Sequence, residues 1–198
     1  PNETPRSSFH STKDITQDAA LEEADCAATM AYGMEATEGC DLLCIGEMGI
    51  GNTTIAAAIA HGLFGGAPED WVGPGTGVDS EGLRRKADAV RRAVALHQSH
   101  LGDPLEVLRR LGGRELAAMA GAILAARLQR IPVLIDGYVA TAAAAILFAM
   151  RPDALRRAIE SDVAAGLTPF FVCANAGSTS SEAFDPVVDL APICAASG

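Results

Sequence analysis

Two short apolar runs constrain this chain more than any other feature. Each is broken off by an acid and glycine and leads straight into an alanine-rich stretch. The first, Asp41-Leu-Leu-Cys-Ile45, runs into Gly46-Glu47-Met48-Gly49-Ile50-Gly51-Asn52-Thr53-Thr54. The second, Ile131-Pro-Val-Leu-Ile135, runs into Asp136-Gly137-Tyr138-Val139-Ala140-Thr141. Runs this short, bounded by glycine, have the length of strands, and unbroken rather than alternating apolarity suits a buried parallel strand. Strand, glycine turn and helix, met twice, predict an α/β fold: a parallel sheet flanked by helices. Ligands in such folds sit outside the carboxyl ends of the strands, so the two turns are where a site is expected.

The rest of the chain reads as helices between punctuation. Residues 1–15 form a polar arm, expected to be extended. Thr16 can cap a helix over Gln17–Glu38, and Asn52 or Thr53 can cap one that runs to about Gly62. Gly65–Gly77 reads as loop. Asp79 or Ser80 caps Glu81–His97, and Asp103 caps Pro104–Leu111 with proline at the first position. Arg114–Gln129, Val139–Ala149 and about Ala154–Ala164 complete the helices. Pro169–Cys173 resembles a third strand. The expected organisation is an arm (1–15), an α/β core (16–175) and a tail (176–198).

Charge and composition exclude several classes. A net charge of −10 offers no basic face for nucleic acid. The most hydrophobic stretch, Ile131–Met150, is interrupted by Asp136 and Gly137 and changes period there, so it reads as strand then helix and no membrane span is expected. Residues 1–13 lack an apolar segment of the signal-peptide kind. The five cysteines, Cys26, Cys40, Cys44, Cys173 and Cys194, have no metal-finger spacing and are read as reduced thiols of a cytoplasmic protein. His10, His61, His97 and His100 lack paired ligand spacing and are read as non-catalytic. No metal and no cofactor are expected.

Three segments carry candidate chemistry. In the first turn, Gly49 and Gly51 let backbone approach a ligand, and the helix start at Asn52-Thr53 offers free N–H groups to an anion. Glu47 is out of place in a pure phosphate loop. It is either a proton acceptor or hydrogen-bond partner for a base, or a solvated side chain on a tight turn. The run contains neither a Gly-Lys-Ser/Thr phosphate loop nor the dinucleotide fingerprint. In the second turn, Gly137 can present backbone N–H, while Asp136 either binds a ribose hydroxyl or caps the helix; Thr141 lies one helical turn on. The third segment is Gly73-Pro74-Gly75-Thr76-Gly77-Val78-Asp79, followed by Lys86, which is either a point charge for phosphate or a solvated lysine.

Taken in order, these segments resemble the nicotinate-nucleotide–dimethylbenzimidazole phosphoribosyltransferase family. The resemblance also rests on Asp103-Pro-Leu-Glu-Val-Leu108, Gly112-Gly113 and Glu115-Leu-Ala-Ala-Met-Ala-Gly121, and it extends over about Phe9–Arg157. It implies a Rossmann-like domain, a homodimer, and transfer of ribose phosphate from nicotinate mononucleotide to 5,6-dimethylbenzimidazole. The products would be α-ribazole 5′-phosphate and nicotinate, with inversion at the anomeric carbon. It places Glu47 beside the attacking base and ribose as the catalytic residue. Gly49, Lys86 and Gly137 fall in the phosphate site with Asp136 alongside; Gly51, Asn52, Thr53, Gly75, Thr76, Gly77 and Thr141 are the remaining candidate contacts.

The resemblance also implies features that have no match here. The family's N-terminal segment lining the benzimidazole pocket is not found. Nor is the C-terminal Gly-Glu pair that supplies its principal general base. Where the family carries a histidine- and serine-containing segment, this chain reads Ile159-Glu-Ser-Asp-Val-Ala-Ala165, and it departs from the family from about Ala158 onward. A fragment, a truncated product and a diverged relative all remain open. A non-catalytic nucleotide-binding or dimerising module on the same scaffold is the alternative function. A different phosphate-binding enzyme, such as a kinase, is weaker still.

Overall fold

A computed structural model of the chain describes residues 11–75, 77–151, 153, 157, 160, 161 and 163–166. Thr76, most of the expected arm, the expected strand Pro169–Cys173 and the tail lie outside the described residues.

The order of elements is α1 (Glu23–Glu35), β1 (Leu43–Ile45), α2 (Asn52–Phe64), α3 (Pro68–Trp71), α4 (Ser80–His97) with a 3₁₀ turn at Gln98–His100, α5 (Pro104–Leu111), α6 (Arg114–Gln129), β2 (Val133–Ile135) and α7 (Gly137–Met150). The strands pair in parallel, Leu43 with Val133, Cys44 with Leu134 and Ile45 with Ile135. The fold is therefore α/β but mostly helical, with a small parallel sheet. Beyond α7, Arg157, Glu160, Ser161, Val163 and Ala164 are helical, inside the stretch expected to form a helix after Asp153.

The core is built on α2. Ala56, Ala57, Ala58 and Ile59 have no exposed surface, so this helix is enclosed on all sides. Val90 of α4, Val107, Leu108 and Leu111 of α5 and Ile146 of α7 pack around it, and Leu116 of α6 joins the same cluster. A second cluster joins Ile45 of β1 to Ala122 of α6 and Ala140 of α7. The opposite face of the sheet, Cys44 and Leu134, is exposed, so the described residues cover one face only. This differs from the fully buried strand that the apolar run predicts.

Helix α1 lies directly on α6. A Cβ on Gly33 would collide with the backbone carbonyl of Ala118, and one on Gly121 with that of Met30. The two glycines let the helix backbones touch.

Three helix starts differ from expectation. Residues 17–22 are not helical, and Asp14 rather than Thr16 supplies the side chain that closes the turn there: its carboxylate accepts from the Thr16 backbone N–H (2.9 Å) and hydroxyl (2.8 Å). The chain after it pairs with the end of α5 instead, through Ala20 N–H to the Arg110 carbonyl and Leu21 N–H to the Arg109 carbonyl, both 3.0 Å. The N-cap of α2 is Gly51, at φ +86°, not Asn52 or Thr53. The loop Gly65–Gly77 contains the single-turn α3, which starts on Pro68. The expected caps at Asp79 and Asp103 are present: Asp79 accepts from Gly82 N–H at 2.8 Å and Asp103 from Leu105 N–H at 2.9 Å.

Candidate functional site

The parallel pairing places the ends of β1 and β2 side by side, so their turns open in the same direction. The Asp136 N–H donates to the Ile45 carbonyl at 2.8 Å, which fixes the second turn against the start of the first. A Cβ on Gly46 would stand 3.7 Å from the Asp136 carboxylate. Each turn enters its helix through a left-handed glycine, Gly51 at φ +86° and Gly137 at φ +83°. Neither α2 nor α7 has a side chain capping its N-terminus. The Thr54 N–H turns back to the Gly51 carbonyl at 3.0 Å, and the remaining first-turn N–H groups have no side-chain acceptor among the described residues, an arrangement that favours an anion.

Glu47 is half-buried at the end of β1. The Asn52 side-chain amide donates to Glu47 Oε1 across Gly49, and a side chain at 49 would displace that pair. The carboxylate is thus oriented by a neutral donor on the following helix rather than neutralised by a cation. Met48 and Ile50, on either side of Gly49, are fully exposed. Asp136, expected either to cap α7 or to bind a hydroxyl, makes no capping bond and is exposed. Thr141 uses its hydroxyl inside α7, donating to the Gly137 carbonyl at 2.8 Å.

The third segment closes onto the first. Lys86 lies on the second turn of α4, half-buried; its Nζ donates to Thr53 Oγ1 at 3.1 Å and to the Gly73 carbonyl at 3.4 Å. A Cβ on Gly75 would lie 3.3 Å from the same Nζ. The lysine is therefore turned inward between the α2 start and the glycine-rich loop, not solvated on the outer face of α4. Gly77 is exposed and donates its N–H to the Pro74 carbonyl at 3.2 Å.

The structure therefore gathers Glu47, Gly49, Gly51, Asn52, Thr53, Gly75, Lys86, Asp136 and Gly137 around the strand ends, with Thr141 one turn deeper. One residue was given no role by sequence reasoning although it stands in the second turn. Tyr138 is buried and its hydroxyl donates to the Trp71 carbonyl at 2.9 Å. Burial pushes its phenol well above its ordinary value, so it remains a donor. The Asp-Gly-Tyr string alone cannot reveal that contact, because the acceptor is 67 residues away. His97 is buried with Nε2 3.0 Å from the Ile15 carbonyl, far from these turns in its bonding.

Paired strand-end turns, two helix N-termini and an inward lysine thus come together in an α/β scaffold. Comparison with known proteins makes this specific. Residues 4–167 match the family model described as "Phosphoribosyltransferase", and the chain belongs to that family. It is 74% identical over 145 residues to the nicotinate-nucleotide–dimethylbenzimidazole phosphoribosyltransferase of Sinorhizobium fredii, covering 73% of this chain and 43% of that protein. It is 68% identical over 157 residues to the protein of that name from Brucella anthropi, covering 79% and 46%. The chain thus spans less than half the length of these relatives. The crystal structure of CobT from Thermus thermophilus superposes with a TM-score of 0.68 at 36% identity, covering 94% of this chain and 60% of that one.

A second match bears on the divergent end: residues 139–198 match the model "Pyridoxal-dependent decarboxylase conserved domain", overlapping the first match up to residue 167. Pyridoxal phosphate is held as a Schiff base by a lysine. No lysine occurs in 139–198. Of the two elsewhere, Lys13 bridges Asp18 and Glu22 at 2.7 Å each and Lys86 is engaged with Thr53 and Gly73. The residues present do not fit that group, and no step is assigned to it.

Proposed function

We propose that this chain carries the phosphate and ribose subsites of a nicotinate-nucleotide–dimethylbenzimidazole phosphoribosyltransferase. The observation that carries this reading is the convergence of three segments distant in sequence, with Lys86 Nζ joining the start of α2 to the Gly73 loop. The phosphate of nicotinate mononucleotide lies against the N–H groups at Gly51-Asn52-Thr53 and Gly137, with Lys86, Gly75 and Gly77 enclosing it. Asp136 takes a ribose hydroxyl. Met48 and Ile50 offer apolar surface to a flat aromatic base.

In the reaction, a ring nitrogen of the benzimidazole attacks the anomeric carbon as its bond to the nicotinate ring nitrogen breaks. The electron pair of that bond neutralises the pyridinium, and the second benzimidazole nitrogen loses its proton. Glu47 is the base for that proton; one of its oxygens is held by Asn52 and the other is directed to no hydrogen bond among the described residues. The remaining contribution is alignment. A homodimer, a cytoplasmic location and a Rossmann-like sheet covered on both faces accompany this reading, as does the division into arm 1–15, core 16–175 and tail 176–198. No helix among the described residues is long and apolar enough to cross a membrane.

The alternative reading is a nucleotide-binding module on the same scaffold without turnover. One experiment separates them. The chain is incubated with nicotinate mononucleotide and 5,6-dimethylbenzimidazole, and α-ribazole 5′-phosphate is followed by mass spectrometry. Product that vanishes in Glu47→Gln supports the enzyme. Binding of nicotinate mononucleotide without product, weakened roughly 10- to 100-fold by Lys86→Met, supports the module. A wild-type chain that neither binds nor reacts overturns both.

A further inference from the structure

The glycine loop that accepts Lys86 begins immediately after Trp71, the chain's single tryptophan. Its position is therefore set by how α3 is anchored, and two contacts do this. The indole Nε1 donates to the Gly65 carbonyl at 2.7 Å, with the ring 6.1 Å from that of Phe64, tying the side chain to the end of α2. The Trp71 carbonyl accepts from the Tyr138 hydroxyl at 2.9 Å, tying the backbone to the start of α7. Tyr138 adjoins Gly137, and Trp71 is two residues from Gly73, whose carbonyl receives Lys86 at 3.4 Å. A single buried side chain thus spans the second turn and the third segment. On the far side, Gly77 and Val78 N–H groups both turn back to the Pro74 carbonyl, at 3.2 and 3.0 Å, so the loop is closed on itself at its exit and tethered at its entry.

We infer that Tyr138 is a positioning residue, which holds the Val72–Gly75 segment in register with Gly137 so that both segments meet the same phosphate. The inference rests on the nucleotide-binding reading above and adds to it a residue that touches no substrate. Freed of the tether, the loop populates arrangements in which Gly73 and Gly75 no longer face Lys86, and apparent affinity falls by the fraction of time the competent arrangement is lost.

The test uses the whole chain and Tyr138→Phe, which keeps the buried ring and removes only the hydroxyl. Gln129→Leu is the control: it removes one side-chain hydrogen bond at the opposite end, from Gln129 Nε2 to Thr37 Oγ1 at 2.8 Å. Hydrogen–deuterium exchange across 72–78 is measured without ligand, and affinity for nicotinate mononucleotide by calorimetry. Tyr138→Phe is expected to speed exchange there and to weaken binding, each roughly 2- to 10-fold, while Gln129→Leu changes neither. Unchanged exchange in Tyr138→Phe overturns the tether. Faster exchange with unchanged affinity, in a wild type that binds, overturns the positioning role and leaves the functional reading standing. A wild type that binds no nicotinate mononucleotide overturns the functional reading, and the role of Tyr138 in that site with it.

Discussion

The α1–α6 end of the molecule and the strand ends use glycine for opposite purposes. Where α1 crosses α6, Gly33 and Gly121 bring two regular backbones into contact, and neighbouring polar groups are paired: Arg114 reaches Asp25 and Thr29, and Gln129 reaches Thr37. At the strand ends, Gly51 and Gly137 take left-handed conformations, and Asp136 and the apolar Met48 and Ile50 are exposed. The contrast teaches where to look for function in a chain of this composition. A fold pairs its buried polar groups wherever stability is the sole demand. Donors left open beside an inward lysine, at two turns brought side by side by the strands, mark the place where something else completes the arrangement.

The sharpest way to break this comparison is Gly33→Ala. The added methyl meets the Ala118 carbonyl, a backbone atom that cannot rotate away, so α1 must separate from α6. A loss of about 3 kcal/mol or more is expected, at the upper end of overpacking costs. Chemical denaturation measures it, and stability equal to wild type would show that the two helices are not in obligatory contact.

Next in size is the ion cluster that holds the N-terminal segment. Glu106 accepts from Arg109 at 2.7 Å and 2.8 Å and from Arg110 at 2.7 Å, and Arg109 also donates to the Leu21 carbonyl at 3.1 Å. Arg109 first, then Arg110, hold the Glu106 carboxyl at about 2, against an ordinary 4.5. The folded value lies below the unfolded one, so the stabilisation is fully present above about pH 4.5 and is lost as pH falls through 2. Glu106→Gln should lower stability by about 2 kcal/mol at neutral pH, leaving two half-buried guanidiniums short of a partner. It should also flatten this part of the acid limb of a thermal-melt series, between about pH 5 and about pH 2. An unchanged acid limb would show that the cluster contributes nothing.

Much of this arrangement is legible in the sequence. Both strands, the two turns, the helices at 80–97, 104–111 and 114–129, and the Asp79 and Asp103 caps follow from local pattern, because each depends on near neighbours in the chain. What escapes a reading of the sequence depends on distant partners. Residues 17–22 have helical composition, but Ala20 and Leu21 bond the end of α5 and Arg109 reaches back to Leu21, 88 positions away, so tertiary contact overrides propensity. The inward turn of Lys86 needs Thr53, 33 positions away, and the role of Tyr138 needs Trp71. The face of the sheet that the described residues leave open also runs against the pattern, since a continuous apolar run predicts cover on both sides and Leu134 is 58% exposed.

The smallest expected effect is the most diagnostic, because it opposes two aspartates at the same formal position. Asp103 and Asp136 each stand at the N-cap of a helix, with similar backbone angles, φ −109° and −107°. Asp103 caps: its carboxylate accepts the Leu105 N–H at 2.9 Å. Asp136 leaves its helix uncapped. If capping is what an aspartate at this position is for, both substitutions to alanine should cost about 1 kcal/mol. If Asp136 is instead held for a ligand, Asp103→Ala should cost about 1 kcal/mol while Asp136→Ala changes stability by less than about 0.5 kcal/mol. The same Asp136→Ala should then weaken binding of nicotinate mononucleotide, which Asp103→Ala leaves alone. Paired denaturation curves with a ligand titration decide it. Equal stability losses with no change in affinity would make Asp136 an ordinary cap and would remove the ribose contact from the site.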